Sequence, residues 1–191
     1  ICGMDPLTGK VSSGSLFAAA APSEIAAAMA NAGAPFDAEE LTEHLDRFYV
    51  EGAANAVAVT DLAALFSRLK ARGLALGIAS SDNEASIRAI AERMGIIPYL
   101  DYIAGYDSGH GIKPHPGMVD GFAVSQGIDH AEIAMVGDNT HDLHMARNAK
   151  AGLAIGVLTG TSGEEALAPH ADYVLPSIEE LETLLDALSA E

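Results

Sequence analysis

Three polar clusters in this sequence, each placed just after an apolar run, carry side chains that together suit a phosphate and a divalent cation. The first is Ser80-Ser81-Asp82-Asn83. A hydroxyl beside the first N–H groups of a helix can hold an anion, although the same residue types also serve as plain helix caps. The second is Lys113, in the loop Gly105-Tyr-Asp-Ser-Gly-His-Gly-Ile-Lys-Pro-His-Pro-Gly117; no other Lys or Arg occurs between Arg93 and Arg147. A lysine held among glycines and prolines can neutralise an anion; the alternative is a solvated surface lysine. The third is Gly137-Asp138-Asn-Thr-His-Asp142. Two carboxylates at this spacing can share Mg²⁺, which takes a few carboxylates plus water and phosphate oxygens. The alternative, that both complement a helix N-terminus, accounts for Asp142 better than for Asp138.

Other groups carry weaker signals. His110, His115, His141 and His144 fall near the same clusters and could bind a transition metal. Against that, no HxxxH pair or second cysteine supports such a site. Arg47, with His44 nearby, could read the far end of a ligand or lie on a solvated helix face.

The elements that must position these groups follow from periodicity and punctuation. Helices are expected over 23–32 and 38–50, with Ser23 and Asp37 as N-caps, and over 61–72, closed by Gly73. Beyond residue 73, strands (74–79, 102–104, 133–136, 153–158, 173–175) alternate with helices (84–94, 116–126, 140–151, 164–168, 177–188). Ser177 and Glu180 read as a capping box for the last helix. This alternation implies an α/β fold: a Rossmann-like parallel sheet with helices on both faces. The first 73 residues are Ala-rich and show no convincing strand. Ligands of open parallel sheets sit at the carboxyl ends of the strands, which is where all three clusters fall. A hydroxyl, a lysine and a carboxylate pair on one sheet edge suit a phosphate with Mg²⁺.

Composition limits the partners. The chain has 191 residues, 49% of them hydrophobic, and a formal charge of −17. It can bury a core, and it repels nucleic acid phosphates and anionic membranes. The single cysteine, Cys2, excludes an internal disulfide and fits a reducing cytoplasm. No run is long enough to span a bilayer. The first residue is Ile1 rather than Met, which implies removal of a segment or a piece of a longer chain.

Ser80 after an apolar strand, Lys113-Pro114 in a loop, and Gly137-Asp138-Asn139-Thr140-His141-Asp142 after another strand resemble motifs two, three and four of the haloacid dehalogenase superfamily, closest to its phosphoglycolate phosphatase-like branch. The likeness runs from about residue 74 to 188 and includes Ala171-Asp172-Tyr173-Val174-Leu175. It implies that Ser80 bonds the transferred phosphoryl group, with Ser81 and Asp82 beside it. Lys113 would hold the phosphoryl and nucleophile oxygens. Asp138 would ligate Mg²⁺, and Asp142 would support the metal directly or through water. The family reaction proceeds through an aspartyl-phosphate and its hydrolysis. The substrate class is a small phosphorylated metabolite, with 2-phosphoglycolate first in line; oligomeric state is not indicated.

The family's first motif, Asp-x-Asp-Gly-Thr at the end of a central strand, has no counterpart. Asp5-Pro6-Leu7-Thr8-Gly9 lacks the second Asp and a preceding strand. The resemblance therefore implies a partial helical cap over 1–60 and a core over 61–191 without its first strand. That strand would lie between those ending at Ser80 and Asp138. The expectations are an inactive chain and, because the lost strand leaves ladder groups unpaired and an apolar gap, weak stability, aggregation or a non-native closure of the sheet. The alternatives are a phosphomutase or dehalogenase of the same superfamily, or a non-catalytic phosphate- or metal-binding module.

Overall fold

A computed structural model describes residues 2–190 except 6, 9 and 13. All five expected strands form and every ladder is parallel: β1 (Gly77–Ala79) with β2 (Tyr102–Ala104), and β3 (Ala134–Gly137) with β4 (Leu153–Val157), which in turn pairs with β5 (Tyr173–Leu175). The sheet is in two parts, of two strands and three. Among the described residues no ladder joins β1 to β3, and this break falls where the resemblance places a missing strand. Burial follows the break. β4 is flanked on both sides and buries Ala154 through Val157, whereas Gly77 of β1 and Ala134 of β3 are exposed. A parallel sheet covered on both faces normally buries its inner strands, so these two behave as edges.

Helices hold the halves together. On one face, Leu65 and Leu69 of α4 (Leu62–Ala71) pack with Leu76 on the β1 side, with Val136 and Ile155 of the other half, and with Leu181 of α9 (Leu181–Leu188). On the other face, Met118, Val119 and Ala123 of α6 (Gly117–Gln126) join Met145 and Ala149 of α7 (Thr140–Ala149) over Ala79, Ala104 and Met135. Apolar burial on this scale stabilises by about 25 cal/mol per Å². The two faces thus keep the half-sheets in one core without a shared ladder.

The first third is helical: α1 (Leu16–Ala19), α2 (Pro22–Asn31) and α3 (Ala38–Gly52), with α2 against α3 and α3 against α5 (Glu84–Arg93). A lone antiparallel bridge, Met4 to Val11, precedes them. Asp37 caps α3 as expected, accepting from the Glu40 N–H at 2.9 Å. Ser23 does not cap α2: the helix begins at Pro22, and the Glu24 carboxylate accepts the Ala21 N–H at 2.9 Å. Proline suits a first helical position because its missing N–H would be unpaired there anyway.

Two further boundaries differ from expectation. β1 starts at Gly77 instead of residue 74, because the Leu74 N–H closes the end of α4 on the Leu69 carbonyl and the Leu76 N–H donates to the Asp101 carboxylate. Ser177 accepts from the Glu179 N–H at 3.3 Å and forms no box with Glu180, because a 3₁₀ turn, Ile178–Glu180, precedes α9.

Candidate functional site

The cluster after β1 divides its roles. Asn83 is the cap of α5: it is buried and its side-chain oxygen accepts the Ser86 N–H at 2.8 Å. Capping therefore does not occupy Ser80 or Ser81. The Ser80 hydroxyl accepts the Asp82 N–H at 3.1 Å, and the Ser80 N–H extends the ladder to the Ala104 carbonyl. The Ser81 hydroxyl donates to the Ala19 carbonyl at 3.0 Å.

The loop after β2 folds onto this turn. The Tyr106 N–H donates to the Asp82 carbonyl, and a side chain at Gly105 would collide with the backbone of Asp82 and Glu84. The loop then carries Lys113 inward, where its ammonium meets the Asp142 carboxylate at 2.6 Å. Both side chains are nearly buried, at 9% and 8% exposure, so the surface-lysine alternative does not hold. Charges this far from water persist because they are paired.

After β3, Asn139 caps α7 and Asp142 accepts the Asn139 N–H at 3.1 Å through Oδ2. Asp142 thus complements the helix start and pairs with Lys113 at once. Gly137 is required beside it, since a Cβ there would overlap the Asp142 carboxylate. Asp138 lies against the loop after β4: its Oδ2 accepts the Thr161 N–H at 3.2 Å, and a Cβ on Gly160 would overlap it. The Ala18 carbonyl accepts from the Asn139 side chain at 3.5 Å, next to the Ala19 carbonyl that takes Ser81. One short stretch of the helical region therefore touches the loops of both half-sheets.

The structure brings Lys113 and Asp142 into contact and places Asp82 within their field. Burial pushes the Asp82 carboxyl up from its ordinary range, the Lys113 charge draws it down, and Asp46 of α3 pushes it up again. Asp46 was not singled out from sequence. It accepts the Tyr106 hydroxyl at 2.8 Å and the Asn83 amide at 2.9 Å, so it joins the helical region to two strand-end loops. A charged residue on the polar face of an amphipathic helix carries no sequence signal of such a role.

For a divalent cation the donors are uneven. Among the described residues Asp138 Oδ1 has no hydrogen-bond partner, whereas both oxygens of Asp142 already receive donors. Among the described residues no group of three or more His, Cys, Asp or Glu is arranged to hold a metal. Asp138 fits direct ligation, and Asp142 fits support through water.

The four histidines do not form one cluster: His115 Nδ1 lies 3.1 Å from the His110 carbonyl, whereas His144 faces His170 at 3.2 Å, and among the described residues His141 Nδ1 is buried without a partner. Arg47 is exposed, in a cleft lined also by Asp46, Val50, Glu51, Asn83, Ala85 and Asp107 that includes neither Ser80 nor Lys113.

Parallel strands and covering helices define an α/β protein, and its candidate site lies at the carboxyl ends of the strands. The family model of the haloacid dehalogenase-like hydrolases matches residues 22–155. The chain belongs to that family. It is 45% identical over 93 residues to a probable phosphatase, IndB, of Dickeya dadantii, covering 48% of this chain and 40% of that protein. It is 32% identical over 120 residues to the pyrophosphatase PpaX of Bacillus pumilus, covering 62% and 55%. It is 31% identical over 119 residues to a phosphoglycolate phosphatase of Neisseria meningitidis, covering 59% and 49%. The chain thus spans about half the length of these relatives. Among solved structures, CbbY from Rhodobacter sphaeroides in complex with phosphate aligns with a TM-score of 0.75 at 20% identity, covering 87% of this chain and 77% of that one. A predicted phosphatase from Clostridium acetobutylicum aligns with a TM-score of 0.71 at 24% identity, covering 87% and 78%. Both likenesses concern the fold. No described helix is long and apolar enough to cross a membrane.

Proposed function

We propose that this chain carries the phosphoryl-holding part of a Mg²⁺-dependent phosphatase acting on a small phosphate monoester. The observation that supports it best is the buried Lys113–Asp142 pair, with the Ser80 turn likewise following a strand of the sheet. Phosphoryl transfer is catalysed mainly by positioning and charge stabilisation. Lys113 supplies a fixed positive charge in an otherwise acidic molecule, and Asp142 holds its ammonium in place. Ser80 supplies a hydroxyl whose oxygen is already oriented by the Asp82 N–H, leaving its proton free to bond a phosphoryl oxygen. Mg²⁺, when bound, would neutralise phosphate charge; Asp138 would hold it, with Asp142 acting through water. Residues 1–60 would cover the core, 61–191, and a reducing cytoplasm suits the single cysteine.

The attacking carboxylate of the family reaction has no counterpart among these 191 residues. The chain by itself is therefore expected to bind phosphate without turning over esters. The test is titration of the purified chain with inorganic phosphate and Mg²⁺, together with an ester turnover assay. Binding that Lys113→Ala abolishes, without turnover, is the expected result. Turnover by the chain that Asp138→Ala removes would refute the reading that the chain lacks the nucleophile. Absence of any Lys113-dependent phosphate binding would refute the phosphoryl-holding role and favour a module with another task.

A further inference from the structure

His144 and His170 meet where α7 packs against α8 (Glu164–Leu167). His144 Nε2 lies 3.2 Å from His170 Nδ1, and the rings stand edge to face with centroids 4.4 Å apart. The two residues are 26 apart in the chain, and no pattern in the sequence pairs them. Neither is assigned to phosphate or to Mg²⁺, so the contact stands apart from the phosphoryl-holding role.

Both rings rise from backbone that is fixed independently of their contact. His144 sits in α7 between buried Leu143 and Met145. Leu143 and Ala146 pack with Leu167 of α8, which holds the two segments together. The His170 N–H donates to the Leu167 carbonyl at 2.9 Å, and the His170 carbonyl accepts from Arg147 Nε at 3.2 Å. The Arg147 charge would oppose a cation nearby, but it is paired with Asp172 at 2.8 Å. The separation of the two nitrogens is thus set by the fold before any ligand arrives, which is what a metal-binding pair requires.

That separation suits a shared cation. Zn–N bonds of about 2.0–2.1 Å, at angles of about 90–110°, put two ring nitrogens about 2.9–3.4 Å apart. The same distance accommodates one N–H···N bond, in which one ring donates and the other accepts. A cation can take the place of that single proton. Each imidazole then carries its own proton on the far nitrogen, Nδ1 of His144 and Nε2 of His170, so two neutral rings ligate with no net loss of a proton. Both residues are half-buried, which leaves the pair within reach of an ion from solvent.

The geometry points to a two-histidine site, His144 with His170, for a divalent transition cation such as Zn²⁺ or Ni²⁺, separate from the carboxylates that suit Mg²⁺. Imidazole nitrogen favours such ions, whereas Mg²⁺ takes oxygen ligands. Among the described residues no third His, Cys, Asp or Glu completes the set, so water fills the remaining positions. Two protein ligands make an exchangeable site, unlike the closed four-ligand sites of structural zinc. The ion bridges α7 and the α8 segment, and it stabilises the folded chain because only that state holds the two rings together.

The test titrates the full chain with Zn²⁺ alone by calorimetry, in buffer with excess Mg²⁺, and follows the melting temperature. His144→Gln and His170→Asn are the decisive variants. A glutamine amide can stand near the position of Nε2 and an asparagine amide near that of Nδ1, so a hydrogen bond persists while the imidazole ligand is gone. The unaltered chain should bind one equivalent of Zn²⁺ at this pair and melt at a higher temperature with it. Each variant should bind at least about tenfold more weakly, since even the outer partners of metal ligands are worth that much, and should lose the rise in melting temperature. His115→Asn and Asp138→Asn should keep both. Far-UV circular dichroism establishes that each variant folds. A measurement that needs no variant accompanies these: substoichiometric Ni²⁺ should broaden the ring protons of His144 and His170 before those of other histidines. No Zn²⁺ binding, binding that both variants retain, or broadening that begins at other histidines overturns the site and leaves a hydrogen bond between two rings. Binding that Asp138→Asn removes assigns the ion to the carboxylates and overturns it as well.

Discussion

Lys113 and Asp142 meet at 2.6 Å from opposite halves of a divided sheet, the lysine delivered by the loop after β2 and the aspartate by the helix after β3. The pair is therefore a tie between the halves as well as a site feature. Removing one member strands the other's charge away from water, which typically costs about 3 kcal/mol or more. Urea denaturation at neutral pH should show such a loss for Lys113→Met and for Asp142→Leu. The double variant should be more stable than the sum of the single costs predicts. Additive losses would show that the contact carries no coupling between the halves.

The Asp138 carboxylate is set by its neighbour after β4. A methyl group at Gly160 would occupy the volume of that carboxylate, so Gly160→Ala must displace either the loop or the side chain. Overpacking of this kind costs about 1–3 kcal/mol. The expected readouts are a lower melting temperature and weaker Mg²⁺ binding. Gly163→Ala, where a Cβ meets nothing within 4 Å, serves as the control. Equal behaviour of the two variants would exclude a positioning role for Gly160.

Asp46 anchors α3 to the strand-end loops through Tyr106 and Asn83. Asp46→Ala leaves the Tyr106 hydroxyl without its acceptor, whereas Asn83 retains the Asp46 backbone carbonyl at 3.2 Å. The cost should be about 1–2 kcal/mol, and that of Tyr106→Phe smaller. Hydrogen exchange locates the effect: amides of α3 should exchange faster while those of β4 keep their protection. Faster exchange throughout would mean that Asp46 supports the fold generally.

Asp101 ties α4 to the start of β1, accepting from the Lys70 ammonium at 2.7 Å and from the Leu76 N–H at 2.8 Å. The Lys70 bond foremost, then the Leu76 bond, holds its carboxyl below the ordinary aspartate range. A carboxyl whose folded pKa is depressed contributes its stability in full above its unfolded pKa of about 4, and loses it as pH falls through the lower folded value. The group is largely solvated, so the contribution is modest, about 1 kcal/mol. Asp101→Asn should be less stable than the parent at pH 7, with the difference shrinking as the pH falls below about 4. A difference that stays constant down to pH 2 would exclude this linkage.

Element order was legible in the sequence because it rests on local signals. The alternation of apolar runs with amphipathic segments, and caps such as Asp37, act within a few residues. The strand-end clusters were legible for the same reason, since polar residues directly after a buried strand have few places to go. Ser23 shows the limit. A good capping residue lost to Pro22 and Glu24, because proline at the first helical position and a returning carboxylate satisfied the helix start without it.

By itself, then, the sequence determined an α/β order of elements and the positions of Ser80, Lys113, Asp138 and Asp142 at strand ends. Only the tertiary structure decided that Lys113 is buried against Asp142, 29 residues away. The same holds for Asn83 acting as the cap beside Ser80, for the break between β1 and β3, and for Asp46 of α3 accepting from Tyr106 and Asn83. Each of these is a pairing between residues distant in the chain. Which partners meet is set by how helices cover the two half-sheets, and periodicity within any one segment holds no record of that.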